Sequence, residues 1–178
     1  MTPRLTLIRR AIGAELYHGT SIPRAAAIVD SDVLNDVEDE EGAEFAGVSL
    51  TDNFKRAADY GVESTRQMIY DFENEYYAAK GVVDLTNIPQ NGAVLVLNAQ
   101  LLLRDFKVRW VIWQGGGARE ERVIGSIKPL SRYLIGVKFD RSAIPKWIAA
   151  FEQAANQQEP AFADEEAREY LSLLKSFS

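Results

Sequence analysis

Residues 15–21, with the sequence ELYHGTS, hold the single histidine of this 178-residue chain. Histidine changes charge near neutral pH, so His18 is a candidate acid, base or metal ligand. A lone histidine beside apolar residues is more often structural, here at the end of a strand. One histidine also argues against a histidine-rich metal site, and the absence of cysteine excludes a thiol nucleophile and a zinc thiolate site. The segment alone does not decide between a chemical and a structural role.

The composition predicts one folded domain over residues 1–178. Of the residues, 47% are hydrophobic and 26% are charged, as in ordinary globular proteins. No apolar run approaches the ~18 residues of a membrane span, and the first residues lack a secretory signal pattern, so we expect a cytoplasmic protein with no membrane partner. The 26 acidic and 20 basic residues give a net charge of −6, which argues against a nucleic-acid partner. The acidic stretch 36–44 predicts a solvated loop.

The first half of the chain predicts short strands followed by helices. Ser21 and Pro23 are favoured residues at a helix start. Asp52 is predicted to cap a helix that ends at Gly61, and a longer helix follows it. The predicted strands are 17–20 and 45–50. One predicted helix begins at Ser21, and two others cover 53–60 and 62–80.

The second half predicts consecutive, mainly antiparallel strands and then two helices. Its short segments are apolar and rich in β-branched and aromatic residues. The predicted strands are 93–97, 108–113, 121–127 and 133–139, and the amphipathic helices, expected to pack on the sheets, are about 143–157 and 163–177. Helices early and late around a strand-rich middle define an α+β class, and no glycine-rich nucleotide motif follows a strand.

Three segments belong together by their order and context. ELYHGTS ends a predicted strand just before a helix, GVSLTDNFKRAADY at 47–60 joins a strand to a helix, and REERVI at 119–124 leads into an apolar strand. Together they resemble the ADP-ribosyltransferase superfamily, in particular its diphtheria-toxin and poly-ADP-ribose-polymerase branch with an H-Y-E triad. LYHGTSIPRAAAIVDSDVL matches the L-[WY]-H-G-[ST] start of that branch. The resemblance runs from Leu16 to Val137 and implies a split β-sandwich of two mainly antiparallel sheets with flanking helices.

The resemblance implies that NAD is bound as a substrate, without a metal. His18 would hydrogen-bond the adenosine-side ribose, and the Gly19 backbone would hold the nicotinamide carboxamide, where a glycine lets the backbone approach the ligand. Tyr60 would stack on the nicotinamide ring. Thr20 and Ser49, in the same two motifs, are also implied to contact NAD.

The resemblance makes Glu121 the catalytic carboxylate, with His18 and Tyr60 completing the triad. Cleaving the nicotinamide–ribose bond develops an oxocarbenium-like cation, and a carboxylate on the ribose 2-hydroxyl stabilises it. Glu120 competes for the role, and alternation along a strand lets only one of the two face the pocket. We favour Glu121 because the family glutamate stands two residues before the inward-facing apolar pair, here Val123 and Ile124.

Some positions depart from the family pattern. Ala57 stands where polymerases have a serine that bonds the nicotinamide amide, and Arg119 stands where arginine-modifying relatives have a Glu or Gln. Arginine is therefore disfavoured as the acceptor. Trp113 and Gln114 begin a loop that lies where the superfamily recognises its acceptor, and the glycines at 115–117 would let this loop close.

The expected activity is mono-ADP-ribosylation of a protein acceptor, as by a phage or bacterial effector or toxin. Two enzymatic alternatives stay open: NAD glycohydrolysis, and RNA 2′-phosphotransfer, which the acidic charge disfavours. A non-enzymatic alternative is a catalytically inert module that inhibits a protein partner through the acidic stretch 36–44. The oligomeric state is left undetermined.

Overall fold

The computed structural model of the chain describes residues 13–36, 47–72, 85–112, 119–156 and 162–177, with the backbone alone at 109–112, 119–121 and 162–164. The strands in these ranges are β1 (Glu15–Thr20), β2 (Val48–Leu50), β3 (Ala93–Asn98), β4 (Val108–Ile112), β5 (Arg119–Val123) and β6 (Leu134–Phe139). The α-helices are α1 (Ile22–Ser31), α2 (Phe54–Asp71), α3 (Ala99–Asp105), α4 (Ile144–Ala155) and α5 (Phe162–Phe177), and 3-10 turns cover Leu130–Arg132 and Arg141–Ala143. The predicted α+β class is confirmed.

The strands form two small antiparallel sheets, with the orders β1-β3-β6 and β2-β5-β4. Antiparallel pairing was predicted, but pairing between consecutive strands holds only for β4 with β5 among the described strands. Helices α2 and α3 intervene before and after β3, so β3 returns to pair with β1 rather than with its neighbours in sequence. In the described ranges the sheets meet at one bridge, Tyr17–Thr51.

Helix α1 starts where the sequence predicts. The Ser21 hydroxyl accepts from the Arg24 backbone N–H at 3.4 Å, and Pro23 occupies the first turn, where its missing N–H is harmless. The Ser21 backbone N–H donates to the Ser64 hydroxyl at 3.1 Å. The cap therefore fixes the end of β1 and the start of α1 against α2.

Helix α2 corrects the prediction that Gly61 ends a helix. It runs unbroken through Gly61 to Asp71, and its N-cap is Asn53 rather than Asp52. Gly61 lies in the middle because the helix backbone there touches other backbone: a Cβ on Gly61 would lie 3.2 Å from the Ala93 carbonyl oxygen. The remainder of the predicted 62–80 helix after residue 72 lies outside the described residues.

Two further glycines complete this contact. A Cβ on Gly19 would overlap the Ala57 carbonyl oxygen, and a Cβ on Gly92 would overlap the Gly61 backbone. We call Gly19, Gly61 and Gly92 the glycine contact. It lets α2 lie directly on β1 and on the start of β3, closer than side chains would permit.

The segment after α1 pairs with the segment after β5. Leu34 and Ile127 exchange backbone hydrogen bonds of 3.1 and 2.9 Å, and the Ser126 hydroxyl donates to Asp36. The predicted strand 121–127 therefore ends early, at Val123, because Ile127 pairs with Leu34 instead of β4.

The C-terminal helices lie close to their predicted bounds, and α5 packs on α4 and α1. Trp147 and Phe151 of α4 stack at 5.6 Å, and Tyr170 of α5 stacks on Phe151 at 5.4 Å. Their amphipathic faces were predicted to cover the sheets, but they bury one another to a large extent. None of the helices in the described ranges is both long and apolar enough to cross a bilayer.

We predict that Gly92→Ala lowers the free energy of unfolding by about 1–3 kcal/mol, because its methyl group must displace the α2 backbone. Urea unfolding measures the change. Gly136→Ala in β6 is the matched control, since a Cβ there meets no described atom within 4 Å. Equal effects of the two substitutions would contradict the glycine contact.

A charged cluster joins the end of α3 to the start of β6. Asp105 is bonded to the Arg104 Nε at 2.7 Å, to the Tyr133 hydroxyl at 3.0 Å and to the Arg132 Nη2 at 3.1 Å. The hydrogen bond from the Arg104 guanidinium is the main cause that lowers the pKa of Asp105 from 3.8 to about 2. The ionised carboxylate therefore favours the folded chain.

We predict that the stability lost in Asp105→Asn depends on pH. Because the folded pKa is the lower one, the contribution of the carboxylate is complete above the unfolded pKa of 3.8 and disappears as pH falls through about 2. Urea unfolding of both proteins from about pH 6 down to about pH 2 measures it. Asp59→Asn, an exposed aspartate on α2, is the control, and a pH-independent Asp105→Asn difference would refute the assignment.

Candidate active site

The His18 side chain contacts the second motif directly. Its Nδ1 lies 2.9 Å from the Ser49 carbonyl oxygen. A carbonyl oxygen only accepts, so Nδ1 carries the proton, and the neutral ring then has Nε2 as its acceptor. The imidazole is half-buried. The bond fixes the tautomer of His18 and joins the ELYHGTS segment to β2.

This bond stands where a β-ladder would otherwise continue. Tyr17 and Thr51 exchange both backbone hydrogen bonds, at 2.8 and 3.0 Å. The next pair in the same antiparallel register would be Gly19 with Ser49, but no bridge forms there. The Ser49 oxygen accepts from His18 instead of from the Gly19 N–H. The two sheets therefore separate after one bridge.

We call the space between Gly19 and Ser49 the inter-sheet opening. Backbone polar groups alternate along a strand, so those of Gly19 point to the same side as those of Tyr17, towards β2. No described residue replaces Ser49 as their partner. An N–H donor and a C=O acceptor therefore stand side by side at the opening.

Gly19 has a second structural reason to be glycine. The resemblance implies that a ligand approaches Gly19, whereas in the structure α2 approaches it, and a Cβ there would overlap the Ala57 carbonyl. Ala57 is itself fully buried. Neither close approach can be recognised from the local sequence.

Tyr60 lies on the flank of α2 that faces the opening. Ala57 and Gly61 face β1, and positions one residue later, such as Ala58, line the flank towards β3 and β6. Tyr60 is on the opposite flank and is 37% exposed. Tyr60 is therefore neither a core residue nor the end of its helix, which continues to Asp71.

Arg56 is a neighbour of Tyr60 that was not predicted from the sequence. Its Nε donates to the Tyr60 hydroxyl at 3.4 Å, and its guanidinium carbon lies 5.8 Å from the ring centroid. The spacing of four residues on one helix was the available signal. Arg56 restrains the ring and adds a positive charge beside the opening.

Thr20 is more deeply buried than His18, Gly19 and Ser49. It is 5% exposed, and its hydroxyl lies 3.4 Å from that of Ser64 on α2. The predicted contact of Thr20 with NAD therefore has little surface available. Ser49 is half-buried at the opening, where its carbonyl binds His18.

The backbone of β5 pairs Glu121 with Leu50 of β2. Leu50 directly precedes Thr51, whose bridge partner Tyr17 directly precedes His18. Leu50 and Glu121 therefore lie on one face of the second sheet, close to the bridge that joins it to β1. Glu120 falls on the opposite face by alternation. Glu121 stands in the middle of β5 rather than at its start.

Other predicted site residues lie outside the described part of the chain, namely Trp113, Gln114 and the side chains of Glu120 and Glu121. Arg122, between Val123 and Glu121, pairs with Ser49 in the register, and its Nη1 donates to the Gly47 carbonyl at 3.3 Å. In the described residues no group of three His, Cys, Asp or Glu side chains is arranged to hold a metal ion.

The chain matches no protein-family model, no curated protein sequence and no solved structure. These comparisons therefore add no functional assignment. The arrangement of His18, Gly19, Ser49 and Tyr60 around the inter-sheet opening carries the functional argument.

We predict that Tyr60→Ala lowers the free energy of unfolding by less than about 1 kcal/mol, because the ring is partly exposed and its hydrogen bond is long. The same substitution should weaken NAD binding, measured by calorimetry. Tyr70→Ala, on the same helix and 61% exposed, is the control that should leave NAD binding unchanged. A Tyr60→Ala variant that unfolds, or that binds NAD normally, would contradict this assignment.

Proposed function

We propose that the chain is an NAD-dependent mono-ADP-ribosyltransferase with an ADP-ribosyltransferase-like split β-sandwich. The observation that carries the proposal is the interrupted ladder, in which His18 takes the Ser49 carbonyl and leaves the Gly19 backbone facing an opening. The first two segments of the resemblance meet at this point. The proposed acceptor is a protein in the cytoplasm, which suits a phage or bacterial effector or toxin.

The Gly19 backbone suits the nicotinamide carboxamide. A primary carboxamide has a carbonyl acceptor and an N–H donor side by side, which is the complement of the N–H and C=O of one strand residue. Ala57 supplies no hydroxyl for a third hydrogen bond. Nicotinamide would thus occupy the position of the missing ladder partner.

Tyr60 suits the face of the nicotinamide ring. NAD carries a positively charged pyridinium, and an aromatic ring stacked on it gains both contact area and electrostatic attraction. Arg56 contacts Tyr60 through a long hydrogen bond and leaves the residue 37% exposed, so one face is accessible to a ligand. His18 would then hydrogen-bond the adenosine-side ribose.

Glu121 would act on the reacting ribose. When the bond from ribose C1 to the pyridinium nitrogen breaks, its electron pair goes to that nitrogen, nicotinamide leaves neutral, and positive charge develops on the ribose. A carboxylate hydrogen-bonded to the 2-hydroxyl stabilises that charge. The acceptor then attacks C1 and loses its proton to the carboxylate. The pairing of Glu121 with Leu50, next to the Tyr17–Thr51 bridge, supports contact of its carboxylate with the nicotinamide-side ribose.

We predict that the protein transfers label from NAD radiolabelled in the adenylate to a protein in a cell lysate and releases nicotinamide. Glu121→Gln should lower transfer by about 10²–10³-fold while NAD binding stays measurable. Glu120→Gln is the matched control and should change transfer by less than about threefold, because position 120 lies on the other face. Intact-mass spectrometry of the labelled band identifies the acceptor.

The outcomes separate the alternatives. Nicotinamide release without label transfer would indicate glycohydrolysis, with water as the acceptor. A folded wild-type protein that neither releases nicotinamide nor binds NAD would refute the proposal and favour an inert binding module. Loss of activity in Glu120→Gln rather than Glu121→Gln would refute the assignment of the carboxylate.

A further inference from the structure

A cavity lies on the flank of α2 that is turned away from the inter-sheet opening. Its volume is about 280 Å³. The apolar walls are Phe54, Ala58, Val62, Val94 and Phe139. This volume equals that of roughly nine waters. It is just below the volumes of ordinary ligand pockets, so the cavity suits a small molecule.

The cavity follows from the glycine contact. Gly19 on β1, Val94 on β3 and Lys138 on β6 form one row across the first sheet. Helix α2 rests on the Gly19 end of that row, so its Ala58 flank overhangs Val94 and Lys138 without filling the space between them. The floor and roof are therefore rigid elements of the fold.

Lys138 gives the cavity a charge. Among the described residues that line it, Lys138 alone is ionised at neutral pH, and Asn91 supplies a side-chain amide. The Lys138 ammonium lies 5.3 Å from the centroid of the Phe54 ring, and Phe54 is 40% exposed. A carboxylate offers an exposed ammonium an opposite charge and hydrogen-bond acceptors, which an aromatic face does not. The ammonium is thus placed to turn from the ring to an anionic ligand at the mouth.

We infer that this cavity binds a small carboxylate with an aromatic or branched apolar body. The apolar body would lie between Phe54 and Phe139, and the carboxylate would meet Lys138, with Asn91 as a second polar contact. The inference is independent of the proposed function, because none of these residues borders the inter-sheet opening.

Phenylacetate and its neutral analogue phenylacetamide test the inference. Titration of the isotope-labelled protein by NMR should give a millimolar Kd for phenylacetate, with shifts at Val62, Val94 and Phe139. Phenylacetamide should bind about fivefold more weakly. Lys138→Gln should remove this difference by weakening phenylacetate alone.

Lys146→Gln, an exposed lysine on α4, is the matched control and should bind both probes as the wild type does. The NMR spectrum of each variant reports its folding directly. The inference is overturned by equal affinity for acid and amide, by shifts confined to other parts of the chain, or by no binding at about 10 mM. No NAD is present, so the result does not depend on transferase activity.

Discussion

The direct contact between the backbones of α2 and β1 is the constraint on which the other features depend. Side chains at positions 19 or 92 would overlap helix backbone, so the distance between helix and sheet is set by glycine alone. That distance fixes which flank of α2 faces which space. One flank presents Tyr60 to the inter-sheet opening, and the other roofs a separate apolar cavity. If ordinary side chains held α2 further from β1, the helix would neither bring Tyr60 to the opening nor roof the cavity.

The sequence predicted the fold well where signals are local. The Ser21 cap, the antiparallel pairing and the two C-terminal helices depend on short patterns of capping, alternation and periodicity. The prediction that a helix ends at Gly61 was wrong, because a glycine at a helix end and a glycine in contact with another backbone look alike in sequence. The strand order was not predicted for a related reason. The pairing of β3 with β1 and β6 depends on contacts between distant parts of the chain, including those of α2 with the sheet.

The candidate site was predicted in part. Two motifs singled out the residues that meet at the opening. The reason for their arrangement is the hydrogen bond from the His18 imidazole to the Ser49 carbonyl, which joins residues 31 positions apart. The choice of Glu121 over Glu120 depended on the apolar pair that follows, and it stays a prediction. The β2–β5 register adds that Glu121 pairs with Leu50, while Glu120 falls on the opposite face. Arg56 was missed because a basic residue on an exposed helix has many ordinary explanations.

The single bridge between the sheets also limits which molecules can enter. An unpaired strand edge invites another strand, which is how sheets aggregate or exchange segments. Here the edge after Tyr17 extends only through Gly19 and Thr20 before Ser21 turns the chain into α1. On β2 the backbone bends at Gly47, whose φ of 127° is accessible to glycine. The exposed edge is therefore about one residue pair long: too short to template a strand from another copy, yet long enough for one amide group.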